Sequence, residues 1–283
     1  MKIGSYEGTL IAGKTVIITG ASDGIGAATA RKLHELGAYL VIVGRSPEKT
    51  KRVAEELGVP YYLADFSKFS DVRNLAAQIN KDYKRIDVLI NNAGGIMGDR
   101  RELTVDGNEI TTQVNHLSPF LLTHLLMDTL VASRATIINT ASAANRMSGT
   151  IHLDDLKLDH GYGKWSAYGK SKLMNILFAK ELATRFTPEG VHAVSLHPGV
   201  VATSFFASSR GVIGLLNRSL SRLLITPAEG ADTLIWLATS KPGIDWVSGG
   251  YYSKRKLAVA DSQARDATLA RELWEQSLRI VGQ

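Results

Sequence analysis

A tyrosine and a lysine four residues apart are the side chains of this sequence best suited to proton transfer. Tyr168 and Lys172 lie in the stretch YGKSK, inside a helix predicted from about Ser166 to Phe186, so both side chains share one helix face. A phenol normally titrates near ~10. A neighbouring ammonium stabilises the phenolate and lowers that pKa towards the range where general acid–base catalysis is efficient. Because this spacing is common on exposed helices, the pair gains meaning only from the residues that accompany it.

Two further polar residues could complete such a site. Ser142 follows a strand predicted from Thr136 to Thr140, so its hydroxyl would project at the sheet edge and donate to a developing alkoxide. A loop or N-cap serine is an equally common explanation. Asn115 lies in a long helix predicted from about Val105 to Leu130, where asparagine is a poor helix former. It is either a satisfied polar residue or a link in a proton relay.

A glycine-rich loop joins the first predicted strand, Lys14 to Thr19, to a helix predicted from Ile25 to Leu36. Gly20 permits the tight turn, Gly24 lets the backbone approach a pyrophosphate, and Gly26 lets helix and strand pack closely. The helix N-terminus offers free N–H groups to the anion. An ordinary strand–helix turn is the alternative. The residues of this loop that we expect at a dinucleotide are Gly20, Ser22, Asp23, Gly24, Ile25 and Gly26.

The end of the second predicted strand indicates which dinucleotide binds. A site that prefers NAD places a carboxylate there to accept from the ribose 2′-hydroxyl, but this chain has Val43-Gly44-Arg45-Ser46. A carboxylate would repel a 2′-phosphate, whereas a guanidinium binds it through charge-assisted hydrogen bonds. The sequence therefore predicts NADP(H) in preference to NAD(H), read by Arg45. An ordinary surface arginine is the alternative.

Strand-like and helix-like segments alternate along the whole chain. Apolar strands separated by helices indicate a parallel sheet covered on both faces, and right-handed crossovers make it a doubly wound, Rossmann-type sheet of about seven strands. No linker divides the chain, so we expect one α/β domain over residues 1–283. The other predicted strands are Tyr39–Val43, Tyr61–Ala64, Val88–Ile90, Ala193–Leu196 and one near Tyr251; the other helices are Pro47 to about Leu57, Ser70–Asp82 and Pro227–Thr239.

With these motifs in order, the chain resembles the short-chain dehydrogenase/reductase family over nearly its whole length. The resemblance implies that Tyr168 is the acid/base and that Ser142 holds the substrate carbonyl. It implies that Lys172 binds the nicotinamide ribose and tunes Tyr168, and that Asn115 anchors a water relay. The matching elements are the phosphate loop, Asn91-Asn92-Ala93-Gly94, Asn115, Ser142, Tyr168 with Lys172, and His197-Pro198-Gly199 with Thr203.

The same resemblance implies further contacts to NADP(H). Asn92 would support the adenosine side, Asp65 would meet the adenine, and Thr203 with Val201 would orient the nicotinamide carboxamide. We also expect cofactor contacts from Phe66, Ala93, Gly94, Pro198 and Gly199.

Within the family, the chain is most similar to the retinol dehydrogenase-like branch. That branch is typically NADP-linked and reduces hydrophobic aldehydes or ketones, so the resemblance implies a small-molecule carbonyl or alcohol substrate. The likeness lies in His152-Leu153-Asp154-Asp155-Leu156, Tyr162, Trp165-Ser166-Ala167-Tyr168, Asn175 and Leu273-Trp274-Glu275.

Composition narrows the function classes. The chain has no cysteine, which excludes disulfides, thiolate catalysis and zinc–thiolate sites, and we predict no metal site. We find no signal peptide and no apolar stretch of the ~20 residues that span a bilayer, so we expect a cytoplasmic protein. The net charge of +6 is scattered apart from Lys254-Arg255-Lys256. A solvated surface is therefore a better explanation than nucleic-acid binding.

The sequence does not decide the roles of two segments. The segment 204–225 is either a substrate lid that favours an apolar carbonyl compound or a helix packed on the sheet or on a second subunit; a C-terminal extension covers 254–283. A homodimer or homotetramer is compatible with the sequence. An NADP(H)-binding sensor on the same fold is the alternative function, although such a protein would usually have lost Tyr168, Lys172 or Ser142.

Overall fold

An eight-stranded sheet forms the centre of the computed structural model, which describes residues 10–199 and 225–283. The strands are β1 (Thr15–Thr19), β2 (Tyr39–Gly44), β3 (Tyr61–Leu63), β4 (Val88–Asn91), β5 (Thr136–Thr140), β6 (His192–His197), β7 (Tyr251–Ser253) and β8 (Lys256–Leu257). Their order across the sheet is β3-β2-β1-β4-β5-β6-β7-β8. All neighbouring strands are parallel except β7 and β8. The predicted doubly wound sheet is confirmed, and the short antiparallel β8 accounts for the strand beyond seven.

Helices cover both faces of the sheet because successive residues of each strand point to opposite sides. Ile17 packs into one apolar cluster and Ile18 into another, on opposite faces of the sheet. The helices are α1 (Gly24–Glu35), α2 (Pro47–Leu57), α3 (Phe69–Asp82), α4 (Ile110–Thr112), α5 (Ser118–Leu125), α6 (Met127–Ser133), α7 (Lys164–Phe186), α8 (Pro227–Thr239) and α9 (Ala267–Val281).

Local sequence signals set several of these boundaries. Helix α2 begins with Ser46, whose hydroxyl accepts from the N–H of Lys49, and ends at Gly58 in a left-handed conformation, as N-cap serines and C-terminal glycines usually do. Helix α8 begins with a capping box formed by Thr226 and Glu229. These helices were predicted to within a few residues.

The prediction of one long helix from about Val105 to Leu130 is wrong. Helix α4 begins only at Ile110, and a π-helical turn, Gln113–Leu117, separates it from α5. Pro119 explains the interruption, because it has no N–H to donate to the carbonyl four residues earlier, which belongs to Asn115, and its ring crowds that carbonyl. Such π turns frequently occur at functional sites.

The C-terminal residues pack against the main body of the fold. Helix α9 contacts α7, and a third apolar cluster joins these two helices to the loop around Ile151 and Leu156. None of the helices within residues 10–199 and 225–283 is long and apolar enough to cross a bilayer. The proposed lid, 204–225, lies outside the described residues except for Ile225.

Candidate active site

The carboxyl ends of the parallel strands bring the predicted site residues to one edge of the sheet. Gly20 follows β1, Arg45 follows β2 and Asn92 follows β4, while Ser142 and Pro198 come just after β5 and β6. Ligands of open α/β sheets bind at this edge, where strand order reverses; here β1 and β4 are neighbours in the sheet but not in sequence.

The phosphate loop is fastened to the loop after β4. The hydroxyl of Thr19 accepts from the N–H groups of Asn92 and Ala93, both at 3.0 Å, while the Asn92 amide donates to the carbonyls of Thr19 and Gly20 at 3.1 and 3.3 Å. A Cβ on Gly20 would lie 2.8 Å from the Ala93 Cα, and one on Gly26 would lie 2.2 Å from the Gly20 oxygen. Both glycines are therefore needed for this close approach. Sequence reasoning missed Thr19.

The N-terminus of α1 fits a pyrophosphate. The Asp23 carboxylate caps the helix by accepting from the N–H of Gly24 at 2.7 Å. The next N–H groups, of Ile25 and Gly26, precede the first intrahelical hydrogen bonds and have no carbonyl partner inside the helix. Such groups, with the helix dipole, attract phosphate. Lys49 pairs with Asp23 at 2.9 Å, so the capping carboxylate is partly neutralised.

The end of β2 carries the residues that would meet the ribose of the adenosine. Arg45 is exposed there, and the strand is pressed against its surroundings, since a Cβ on Gly44 would lie 2.1 Å from the Thr50 hydroxyl and 3.1 Å from the Ser22 Cβ. Lys49, which sequence reasoning missed, adds a second cation in the first turn of α2. The Glu48 carboxylate also lies near the end of β2, where it accepts from the Ser46 hydroxyl at 3.1 Å.

The two residues predicted near the adenine differ in their surroundings. The Asp65 carboxylate accepts from the N–H and hydroxyl of Ser67 at 3.0 and 2.8 Å. The Phe66 side chain is instead buried in the core beneath α3 and α5, and its carbonyl accepts from Ser118 at 2.6 Å. We therefore expect Phe66 to shape this region through its backbone.

Ser142 and Tyr168 meet because α7 lies tightly against the turn that follows β5. A Cβ on Gly169 would lie 2.6 Å from the Ala144 carbonyl oxygen and 2.9 Å from the N–H nitrogen of Ser148. The Ser142 hydroxyl is close enough to the Tyr168 phenol to lower its pKa, and it accepts from the N–H of Ala144 at 3.2 Å. The N-cap explanation of this serine is therefore confirmed, and its role in a site stays a prediction.

Lys172 lies on the same face of α7 as Tyr168 and is almost fully buried, at 4% exposure. Its Nζ lies 5.6 Å from the centroid of the Tyr168 ring and donates to the backbone carbonyl of Thr140 at 3.1 Å. Sequence reasoning missed this carbonyl, because any residue type could supply it. It holds the ammonium between the end of β5 and the tyrosine ring.

Burial governs the titration of this pair. It raises the pKa of Tyr168 to about 12, and the hydrogen bond with Ser142 offsets only part of that rise. It also lowers the pKa of Lys172 to about 8. The lowered tyrosine pKa that the sequence predicted is therefore not found in this structure: the ammonium lies over the ring and donates to Thr140, while desolvation of the phenol dominates. At neutral pH Tyr168 is protonated and most Lys172 is charged.

Asn115 connects the loop after β4 to α7 from its place in the π turn. Its amide donates to the Gly95 carbonyl and to the Ser171 hydroxyl, both at 2.9 Å, and its oxygen accepts from the Gly95 N–H at 2.8 Å. A Cβ on Gly94 would lie 2.7 Å from the Asn115 oxygen and 3.2 Å from the Lys172 Nζ. Asn115 is thus satisfied and lies beside the catalytic candidates.

Pro198 and Gly199 follow β6 at the same edge. The Gly199 N–H donates to His197 Nδ1 at 3.4 Å, and burial lowers the pKa of that histidine. Val201 and Thr203, the residues expected at the carboxamide, lie outside the described residues.

Residues 14–211 match the family model for short chain dehydrogenase. This chain is a member of the short chain dehydrogenase family. The predicted family is therefore confirmed, and the protein is an oxidoreductase of that family. Its phosphate loop, Ser142, Tyr168 and Lys172 lie at one edge of the sheet.

This family member is similar to named oxidoreductases and to a solved structure. The chain is 42% identical over 277 residues to a proposed daunorubicin C-13 ketoreductase, DnrU, of Streptomyces sp. (strain C5), covering 95% of this chain and 93% of that protein. It is 37% identical over 278 residues to retinol dehydrogenase 11 of Homo sapiens, covering 95% and 86%. Among solved structures, the Pseudomonas aeruginosa RhlG/NADP active-site complex has a TM-score of 0.69 at 26% identity, covering 85% and 94%. The likeness to the retinol dehydrogenase-like branch is confirmed.

Proposed function

We propose that this protein is an NADP(H)-dependent oxidoreductase that interconverts an apolar aldehyde or ketone and the corresponding alcohol, with Tyr168 as general acid/base. The observation that carries the proposal is the buried side chain of Tyr168, close enough to Ser142 for that hydroxyl to lower the pKa of the phenol, with Lys172 held against its ring by Thr140. A proton donor, a second hydroxyl and a cation thus converge at the edge of the sheet where a dinucleotide binds in this fold.

Each side chain has a distinct task in carbonyl reduction. The bound nicotinamide would supply hydride to the carbonyl carbon. Tyr168 transfers its proton to the carbonyl oxygen, and Ser142 donates a hydrogen bond to the same oxygen as negative charge develops. Lys172 stabilises the phenolate that remains, because its ammonium is close and poorly solvated. Asn115 keeps the Gly94–Gly95 loop next to that ammonium, and the proton lost by Tyr168 returns by way of solvent.

The preference for NADP(H) is supported by charge at the end of β2. Arg45 is exposed directly after β2, and the stretch from Val43 to Ser46 holds no acid. Lys49, in the first turn of α2, pairs with Asp23, so Arg45 is the cation that we expect to bind the 2′-phosphate. The likeness to an NADP complex of RhlG agrees with this preference.

The class of substrate is supported by the relatives. Retinol is an apolar polyene alcohol, and a C-13 ketoreductase acts on a ketone. A relative of both would accept large, weakly polar carbonyl compounds, and a cleft that excludes water would strengthen every polar contact around the reacting oxygen.

A screen of NADPH consumption tests the proposed function. The purified protein is mixed with NADPH and a panel of aldehydes and ketones that runs from small and polar to large and apolar, and absorbance of the reduced nicotinamide is followed. We expect consumption with the large apolar members and little with the polar ones, and faster turnover with NADPH than with NADH. Tight NADPH binding with no turnover on any compound would favour the sensor alternative.

A further inference from the structure

A histidine next to Asn115 is buried at the junction of three elements and has no role in the mechanism above. His116 belongs to the π turn and is 1% exposed. Its Nδ1 lies 3.3 Å from the side-chain oxygen of Asn175 on α7, and its Nε2 lies 3.1 Å from the hydroxyl of Ser277 on α9. One imidazole thus joins the π turn, α7 and the C-terminal helix.

The hydrogen-bond partners define the protonation of this ring. The Asn175 amide nitrogen donates to the Thr140 carbonyl at 3.3 Å, so the Asn175 oxygen is the group that faces His116 and it accepts from Nδ1–H. Nε2 then has no proton and accepts from the Ser277 hydroxyl. Burial lowers the pKa of His116 to about 4, which keeps the ring in this neutral form at working pH.

The surroundings make these two hydrogen bonds hard to replace. The His116 ring lies 6.1 Å from the Phe120 ring and 6.0 Å from the Phe178 ring, centroid to centroid. The gap that these rings enclose with Trp274 and Ser277 leaves no room for a water molecule. Removal of one partner would therefore leave a buried nitrogen or oxygen without a hydrogen bond. Because that is energetically costly, we expect the backbone around it to shift.

The chain of hydrogen bonds ends at the group that holds the catalytic lysine. The Thr140 carbonyl accepts both from Asn175 and from the Lys172 Nζ, the latter at 3.1 Å. The opposite side of the same π turn carries Asn115, which binds Gly95 and Ser171. His116 therefore contacts Asn175, which shares the Thr140 carbonyl with Lys172, and it directly follows Asn115 in the π turn.

We propose that His116 is a positioning residue for Lys172 and Asn115, and that Ser277 on the C-terminal helix orients it. This inference rests on the proposed function, because Lys172 is taken as the group that serves the tyrosine and the nicotinamide ribose. Docking of α9 is thereby coupled to the geometry of the active site through Ser277, His116, Asn175 and the Thr140 carbonyl.

The test compares His116→Leu, His116→Gln and Ser277→Ala with His192→Gln. His192 is a half-buried histidine at the amino end of β6, far from the carboxyl-end site, and its substitution controls for loss of an imidazole. Three quantities are measured on the full chain: kcat and KM on the best carbonyl of the screen, NADPH affinity by fluorescence titration, and the free energy of unfolding in urea. A displaced catalytic group can cost on the order of 100-fold in rate.

We expect His116→Leu to lower kcat about 10- to 100-fold and to weaken NADPH binding, with little change in the KM for the carbonyl. Ser277→Ala should do the same more weakly. His116→Gln, whose amide donates and accepts, should recover part of the loss, and His192→Gln should leave kcat and NADPH affinity unchanged even if it costs stability.

Two outcomes would overturn the positioning role. One is a folded His116→Leu protein with wild-type kcat and NADPH affinity. The other is that His116→Gln and His116→Leu lose kcat equally and in proportion to their loss of unfolding free energy, and that His192→Gln loses kcat in the same proportion. NADPH affinity separates this question from the proposed function: a wild-type protein that binds NADPH without turnover would contradict the function, while the affinity series would still report on His116.

Discussion

At the scale of single residues, the protonation states of Tyr168 and Lys172 suit reduction. A phenol whose burial raises its pKa to about 12 holds its proton at neutral pH until a stronger base develops beside it, as the carbonyl oxygen does when hydride reaches the carbon. The ammonium of Lys172, whose burial lowers its pKa to about 8, remains mostly charged at pH 7 and would stabilise the phenolate of the proposed reaction.

Tyr168→Phe removes the proton donor and keeps the ring. Because a positioned general acid contributes roughly 10²- to 10⁴-fold, we expect kcat to fall by at least about 100-fold while NADPH binding persists, as judged by fluorescence titration. Tyr162→Phe is the matched control, since the Tyr162 hydroxyl donates to the Gly98 carbonyl and has no part in the proposed proton transfer. Near-normal turnover in Tyr168→Phe would refute the assignment.

Arg45→Ala tests how the 2′-phosphate is recognised. Loss of a guanidinium bound to a phosphate should weaken NADPH far more than NADH, by about 10-fold or more if the charge-assisted bond is worth ~1.5 kcal/mol or above. Dissociation constants for both cofactors, measured by fluorescence, check this. Arg52→Ala, on the exposed side of α2, should leave both constants unchanged. Equal losses for NADPH and NADH in Arg45→Ala would assign the phosphate to other groups.

At the scale of elements, the site depends on how closely α7 approaches the turn after β5. That approach brings Ser142 to Tyr168, and Gly169 permits it because no side chain separates the helix from the Ala144 carbonyl. The turn is in turn fixed by Asn145, which donates to the Ser142 carbonyl at 2.6 Å and to the Tyr251 hydroxyl at 3.2 Å.

Gly169→Ala should push α7 away from this turn. A Cβ 2.6 Å from a backbone oxygen forces a movement of the kind that costs about 1–3 kcal/mol in overpacked interiors, so we expect both a lower free energy of unfolding and a fall in kcat. Gly163→Ala, at the N-cap of the same helix, meets only the Ser166 Cβ at 3.9 Å and should be nearly neutral. Urea unfolding and steady-state kinetics measure both effects. Equal behaviour of the two variants would show that the close approach is not needed.

Sequence predicts elements better than it predicts the contacts between them. The boundaries of α1, α2 and α8 follow from glycine, proline and cap residues that act locally, and Tyr168 with Lys172 follows from helical spacing. The break at Gln113–Leu117 was not predicted, because the long apolar pattern indicates one helix and only the missing N–H of Pro119 indicates an interruption. The Thr140 carbonyl could not be foreseen, because a backbone acceptor carries no residue-type signal.

At the scale of the whole molecule, stability should depend on pH through the buried His116. The pKa of this ring is lowered from 6.5 to about 4 in the folded chain, so between these values the unfolded chain binds a proton that the folded chain does not. Its contribution is complete above pH 6.5 and is lost as the pH falls towards 4. The difference between the two pKa values corresponds to about 3 kcal/mol of unfolding free energy, which is fully lost well below pH 4.

We expect the free energy of unfolding, measured in urea at several pH values, to decline between pH 6.5 and 4 in the wild type. His116→Gln, which cannot take up a proton, should be less stable at pH 7 but show a shallower decline. Asp87, whose pKa is lowered chiefly by its hydrogen bond with Arg85 against the opposing effect of burial, adds a further loss below that window. Parallel curves for the two proteins would contradict this role of the histidine.

The two-residue strand β8 decides how the sheet ends. Lys254 and Arg255, both with left-handed backbone, turn the chain back from β7, and Arg255 is fixed by an ion pair with Asp232. Lys256 then occupies the outermost rung beside an exposed Leu257. Short, bent and cationic margins discourage intermolecular strand pairing. The cluster Lys254-Arg255-Lys256 is therefore expected to hinder pairing of this edge with the sheet of another molecule.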